Sequence, residues 1–355
     1  MTETGLRDSN LSAVEELWFT RCPVPTATGI AADLGWFDEE FDDDGIIVRS
    51  LQERHGPFSP EHYGHGIPTL FREGGNVPAL WAKAGGQATR LIGLTWIEER
   101  QAILVRQDSD ITGPDDLYGR RLAIPRHREV PIDFWSAMAL RGFEGALSVV
   151  GRTLSDADLV DVAWPARETT GARVPAVSQW HREIDELTQG NVDAIYVKGA
   201  VAAELTARGA LRVAIDLDAI ADRRVRFNNG TPRPITVHQQ LLEERPDLVA
   251  RYLSVVLRAV TWADSHPDER DRIIAEETGA GREGVLAAYG RSAGDGIGVD
   301  LSDERLALLV AQKDFLLRYG YLDSDIDIRE WADHEPLRAA AELNSIYQAQ
   351  TRESR

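Results

Sequence analysis

The sequence predicts an α/β fold of parallel or mixed sheets covered by helices, with a helical C-terminal third. Three observations predict it. Short β-compatible runs alternate with helical stretches through the first two-thirds. From about Pro246 onward the pattern is almost wholly helical, and no internal repeat or low-complexity tract interrupts either part. The 355 residues are 43% apolar and 27% charged. At ~100–200 residues per domain, that length and composition suit two or three domains with ordinary buried cores.

The elements follow in chain order. Leu17-Trp18-Phe19-Thr20-Arg21 reads as the first strand. Cys22-Pro23-Val24-Pro25-Thr26 follows it, and two prolines at alternate positions fix φ and remove two donors, so this is a rigid loop. A short helix begins from Thr28 with a threonine N-cap and carries Ile30, Ala31, Leu34, Trp36 and Phe37. The next strand is Gly45 to Leu51. Further strands are expected at Arg90–Trp96, Gln101–Arg106, Arg121–Pro125, Leu159–Ala163, Val192–Val197 and Arg212–Leu217. Helices are expected at Asp133–Leu147, Arg182–Gln189, Ala200–Arg208, Asp247–Ser265, Asp268–Glu277, Asp303–Tyr319 and Arg329–Asn344, with a polar, frayed end from Gln350 to Arg355. This opening sets Cys22 at the carboxyl end of the first strand, the edge at which open α/β sheets bind ligands.

Composition narrows the function classes. Asp plus Glu number 58 against 39 Lys plus Arg, a formal charge of −19. Such a surface repels nucleic-acid backbones and anionic lipid. No run approaches the ~18–20 apolar residues of a membrane span, and the polar segment Met1–Asn10 lacks the layout of a signal peptide. The expectation is a cytoplasmic protein that binds neither nucleic acid nor membrane. The single cysteine, Cys22, rules out an internal disulfide and a multi-cysteine zinc site.

Each candidate has a plain alternative. Most lone cysteines are small buried hydrophobes. Cys22, however, is presented by a rigid loop at a strand end, ahead of a helix N-terminus that would favour a thiolate. His62 and His65 stand three apart without further ligands of suitable spacing, so no metal is expected. Arg72 before Gly74-Gly75 suits an anion, because guanidinium offers paired donors and glycine lets main-chain N–H groups approach. The plain alternative there is a glycine turn before a helix starting near Val77. Arg126-His127-Arg128 reads as a solvated basic loop or a cleft face, and Asn228-Asn229-Gly230 as a hinge or a ligand contact. The acidic run Asp38–Asp44 lacks the spacing of a calcium loop. No phosphate loop, Gly-x-Ser-x-Gly or His-Glu-x-x-His occurs.

Two resemblances join these pieces. Ile111-Thr112-Gly113-Pro114 through Arg121-Leu122-Ala123 resembles the opening of the second lobe in periplasmic-binding-protein-like folds of type II, the sulfonate- and nitrate-binding kind. It implies two lobes, residues 1–107 plus 228–355 and residues 108–227, with a ligand cleft between them. Cys22-Pro23-Val24-Pro25, His62 and Arg72-Glu73-Gly74-Gly75 resemble the 2'-hydroxybiphenyl-2-sulfinate desulfinases of dibenzothiophene desulfurisation. That family carries its cysteine in a Cys-Pro-Val-Pro loop and a histidine ten residues before the arginine of Arg-x-Gly-Gly, as His62 precedes Arg72 here. Weaker echoes run through Arg90-Leu91-Ile92-Gly93, Asn191–Tyr196, Phe315-Leu316-Leu317 and Trp331-Ala332.

The resemblance implies a cofactor-free, monomeric hydrolase that cleaves a C–S bond, turning a sulfinate anion and water into sulfite and the desulfinated product. Its catalytic residues would be Cys22, His62 and Arg72, with Gly74, Gly75 and His65 binding substrate. Cys22 would attack sulfur as a thiolate or protonate carbon as a thiol, with His62 setting its state and Arg72 holding the anion. Arg126-His127-Arg128, Lys198-Gly199 and His65 depart from the biphenyl enzyme, which bears on the identity of the sulfinate. The competing reading is a non-exported binding protein or sensor for sulfonate-like anions on the same fold.

Overall fold

A computed structural model describes residues 11 to 353, except residues 12, 23, 52–62, 129, 166–178, 200, 208, 280–281 and 290–296. Ten strands are described: β1 (Glu16–Phe19), β2 (Ile47–Ser50), β3 (Leu70–Glu73), β4 (Thr89–Thr95), β5 (Gln101–Arg106), β6 (Arg121–His127), β7 (Asp158–Trp164), β8 (Ile195–Lys198), β9 (Leu211–Asp216) and β10 (Arg233–His238). They form a five-stranded sheet in the order β2-β1-β3-β10-β4, a three-stranded sheet β8-β5-β9 and a pair β6-β7.

In the first sheet β1 runs parallel to β2 and β3, and β10 lies antiparallel between β3 and β4. The carboxyl ends of β1 and β3 therefore share an edge with the start of β10. The aromatic stack Phe37–Tyr252–Phe71, with centroids 4.7 and 3.8 Å apart, fastens this sheet to the helix Pro246–Ser265. In the second group β5 pairs antiparallel with β8 and β9, while β6 and β7 run parallel from Arg121↔Asp158 to His127↔Trp164. β5 is the first strand in chain order to join this group. Sequence alternation identifies strands but not the sheet they join.

One hydrophobic core runs through both groups. Leu91, Leu94 and Phe315 from the first side pack with Leu122, Ile124, Phe143 and Tyr196 from the second. Polar contacts reinforce it. Tyr196 Oη and Asn228 Nδ2 both donate to Gln101 Oε1, at 2.8 and 3.2 Å. Tyr319 Oη and Arg318 Nη1 reach Glu144 on the helix Phe134–Ser148.

Most expected elements are present with ends shifted by a few residues. The first helix is Ala27–Asp33, and its cap is Thr26, whose Oγ1 accepts from Gly29 N at 2.9 Å; Thr28 lies inside it. A second short helix, Trp36–Phe41, takes the remaining apolar residues after a turn. β6 continues past Pro125 to His127. The expected helix Arg329–Asn344 is two, Ile328–Trp331 and Glu335–Glu353, because Ala332 is extended and bridges to Leu91. The last helix also runs into the segment expected to fray. Two strands went unexpected. β3 ends in charged residues, and β10 contains Pro234, which cannot donate to a ladder.

The start of β5 also places a titratable group. Asp218 Oδ2 accepts from Gln101 N at 3.0 Å, with Arg226 at 3.6 Å. Burial pushes its carboxyl up to about 7 against the pull of that N–H and of Arg226. A carboxyl raised in the folded state favours folding while protonated, so its stability contribution is full below about pH 4 and is lost as pH rises through about 7. Asp218→Asn should match wild type in thermal melts near pH 4 and exceed it near pH 8. Parallel pH slopes in the two proteins would assign the slope to other groups.

Candidate active site

The edge where β1 and β3 end gathers the expected groups that are described. Thr20 clamps the strand ends: its Oγ1 donates to Glu73 O at 2.6 Å and accepts from Glu73 N at 2.8 Å. Cys22 follows two residues on, half-buried, and its Sγ donates to the same carbonyl at 3.7 Å. Cys22 packs against an apolar cluster made of Val24, Ile97, Ile274, Val285, Ala288 and Tyr289. Pro23 of the rigid loop and His62 lie outside the described residues.

Arg72 is on β3 with no exposed surface. Its Nη2 donates to Gly75 O at 3.2 Å, so the guanidinium curls over the following turn. Burial pulls it down to about 10, and the nearby Cys22 and Tyr63 pull it up against the repulsion of Arg233. It stays charged at neutral pH. The two glycines are set by packing: a Cβ on Gly74 would lie 2.9 Å from the Arg72 guanidinium, and one on Gly75 only 2.5 Å from Asn229 Oδ1. Gly74 N donates to Pro234 O at 3.3 Å, whereas among the described residues Gly75 N finds no acceptor and remains available.

Asn228 and Asn229 hold this turn from the second crossing. Asn76 N donates to Asn229 O at 2.7 Å, and Val77 N to Asn229 Oδ1 at 2.9 Å. Asn228 Nδ2 donates to Met138 O and to Tyr196 Oη, at 3.1 and 3.2 Å. These side chains serve as a joint between the two strand groups.

His65 is buried behind Arg72 at 1% exposure, with φ of 55° and its Nε2 2.7 Å from Thr236 Oγ1. Thr236 pairs with Arg72 across β10 and β3, so the imidazole braces the strand carrying the arginine. Burial, Arg72 and His238 push it down to about 3, which keeps it neutral. Tyr63, buried beside Arg72, is pushed up to about 12 mainly by burial and stays protonated. Its ring lies 6.4 Å from Phe134 of the second group.

Facing residues of that group depart from a solvated loop. His127 is buried, stacked between Trp135 at 4.4 Å and Trp164 at 4.9 Å, with its N donating to Asp133 Oδ2 at 2.8 Å. Arg126 donates to Asp161 Oδ1 and Ser136 Oγ at 2.7 and 2.8 Å. Lys198 Nζ donates to Glu99 Oε2 at 2.6 Å. Of the triplet only Arg128 is exposed. Among the described residues no group of three or more His, Cys, Asp or Glu is placed to hold a metal.

Comparison with known proteins bears on this edge. No family model matches the chain. A 2'-hydroxybiphenyl-2-sulfinate desulfinase of Rhodococcus erythropolis is 29% identical over 362 residues, covering 91% of this chain and 93% of the relative. The crystal structure of a DszB cysteine-to-serine mutant in complex with biphenyl-2-sulfinic acid superposes with a TM-score of 0.73 at 25% identity, over 92% of this chain and 99% of that one. The chain resembles the desulfinases in sequence and in fold. The periplasmic aliphatic sulphonate binding protein SsuA of Escherichia coli, at 16% identity and a TM-score of 0.68 over 90% of this chain and 92% of that one, shares the fold alone. The architecture is thus the two-lobed periplasmic-binding-protein-like one.

Tyr63 and Thr20 are the site residues that sequence reading missed, while Asn229 was named only as a hinge or a ligand contact. The aromatic after His62 was the visible signal for Tyr63; Thr20 acts through a long-range contact to Glu73 that leaves no local pattern. The two glycines should separate on substitution. Gly75→Ala drives a methyl into the Asn229 amide and should cost ~1–3 kcal/mol of stability, as overpacking does. Gly74→Ala should instead move the flexible guanidinium end, lowering turnover with a smaller fall in melting temperature. Equal melts for both variants would contradict this division.

Proposed function

We propose that the chain is a desulfinase that hydrolyses the C–S bond of an organic sulfinate, an aryl sulfinate in the first instance. The observation that carries this reading is the convergence of Cys22 and Arg72 through the backbone of Glu73, on a chain resembling the desulfinases along nine-tenths of its length. The reaction balances without a cofactor: water oxygen goes to sulfur, the C–S bond breaks, carbon takes a proton and sulfite leaves.

Each residue has a physical task. The sulfinate spreads one charge over two oxygens, a geometry that a guanidinium fork matches. Arg72 supplies that fork in a dry setting, where charge-assisted bonds are strong, and the Gly75 N–H adds a donor. It also offsets the long-range repulsion from a protein of formal charge −19. Cys22, half-buried beside the arginine, either attacks sulfur as thiolate or delivers a proton to carbon as thiol. His62 takes the role of setting that state and activating water. His65 contributes by holding β10 against the strand of Arg72, and Gly74 by leaving room for the guanidinium. The reading carries with it a catalytic cysteine and a cytoplasmic, monomeric enzyme.

Purified protein incubated with a panel of aryl and alkyl sulfinates should release sulfite. Cys22→Ser, nearly isosteric, should fold and lose release by ~10³-fold or more. Arg72→Lys keeps the charge but loses a paired bond of roughly 1.5–3 kcal/mol, lowering kcat/KM by about one to two decades. Sulfite release by Cys22→Ser at the wild-type rate would remove the cysteine from the mechanism. A wild type that binds sulfinates but releases no sulfite would be a binding protein or sensor.

A further inference from the structure

We propose that Arg233, held by Glu73, is a second anion-holding guanidinium at the edge occupied by Arg72 and Cys22, and that it contacts the bound sulfinate. The inference rests on the sulfinate reading and deepens it.

The strand register sets the position. Ile235 pairs with Glu73, and Gly74 N donates to Pro234 O at 3.3 Å, so Arg233 comes opposite the Gly74-Gly75 turn. On its other side it pairs with Thr95 of β4. Arg233 therefore stands at the carboxyl edge of β1 and β3 on the face of Ile235 and Glu73, while Arg72 stands at the same edge on the face of Thr236.

Its bonding is incomplete. Arg233 is 4% exposed, yet its Nε has no acceptor. Its one ion pair among the described residues is to Glu73 Oε1 at 4.0 Å, beyond hydrogen-bond distance. Glu73 is itself oriented by Thr95 Oγ1, which donates to the same oxygen at 3.2 Å. The carboxyl thus lies near enough to aim the guanidinium without occupying its donors. A buried guanidinium left with idle donors is costly unless an acceptor arrives.

The surroundings identify that acceptor's charge. Arg233 lies within electrostatic reach of Arg72 and of Tyr289, and Tyr289 packs in the cluster that touches Cys22. Two guanidinium groups buried at one edge repel each other, and an anion between them relieves the repulsion. A sulfinate presents two oxygens, and the bisulfite product presents more, enough to accept from both arginines and from Gly75 N–H. Nothing in the reading of Arg-x-Gly-Gly from sequence required a second arginine, and Glu73 occupies the variable position of that motif.

The test measures benzenesulfinate binding by calorimetry in wild type, Arg233→Lys, Arg233→Gln and the Glu73→Gln/Arg233→Gln double variant. The double variant avoids stranding an unpaired buried carboxylate. Uncharged methyl phenyl sulfone serves as the control ligand, and melting temperatures report folding. Loss of the fork should weaken benzenesulfinate by at least about tenfold in Arg233→Gln and in the double variant, with partial retention in Arg233→Lys. Sulfone binding should change less than about twofold, since a neutral ligand forfeits no charge–charge attraction. Equal losses for both ligands, an unchanged benzenesulfinate affinity in the double variant, or no benzenesulfinate binding by wild type would overturn the proposal. If binding depends on Arg233 but wild type releases no sulfite, the anion site stands and the desulfinase reading falls.

Discussion

Burying the Arg72 guanidinium is the constraint on which the rest of the site depends. A charged group with no exposed surface needs close acceptors and neighbours that leave it room. Gly75 O supplies an acceptor, and the bare Cα of Gly74 supplies the room. Burial keeps Tyr63 protonated against the pull of the Arg72 charge, whereas burial and that same charge together keep His65 neutral. The turn is then fixed from outside by Asn229, and the strand end by Thr20. The half-buried Cys22, bonded to Glu73 O, inherits its position from these contacts.

The two strand groups do not meet only at the crossings. The helix Phe134–Ser148 of the second group contributes Met138 and Phe143 to a core shared with Leu91, Leu94 and Phe315 of the first. Asn228 ties the main chain of that helix to the turn beside Arg72. A joint of buried amides and a continuous apolar core tie the two strand groups together beside the site. The stacked His127, Trp135 and Trp164, with Phe134 against Trp135 at 3.7 Å, give the second group an aromatic body near Tyr63.

Legibility followed the range of the interactions. The loop after β1 could be read because two prolines act locally on the backbone. Arg72 and its glycines could be read as a motif, yet their strand could not, because a buried charge interrupts the apolar run by which strands are recognised. β10 was hidden by Arg233 and Pro234 for related reasons: the strand tolerates proline because Pro234 serves as an acceptor, its carbonyl taking Gly74 N–H. The helix starts one residue before the expected Thr28, and the threonine that caps it is Thr26, whose Oγ1 reaches forward to Gly29 N. Thr20, Asn229 and the Glu73–Arg233 pair join residues more than fifty positions apart, and only the folded chain brings them together. Arg126 and His127 looked like solvated basic residues because neither Asp161 nor the two tryptophans could be assigned as partners from spacing.

The most direct measurement is a crystal structure of Cys22→Ser soaked with an aryl sulfinate. The account predicts the sulfinate sulfur between the hydroxyl introduced by that substitution and Arg72, its oxygens accepting from the Arg72 guanidinium and Gly75 N–H, and its ring directed toward Tyr63 and Phe134. A sulfinate seated away from Arg72, with Gly75 N–H untouched, would contradict it.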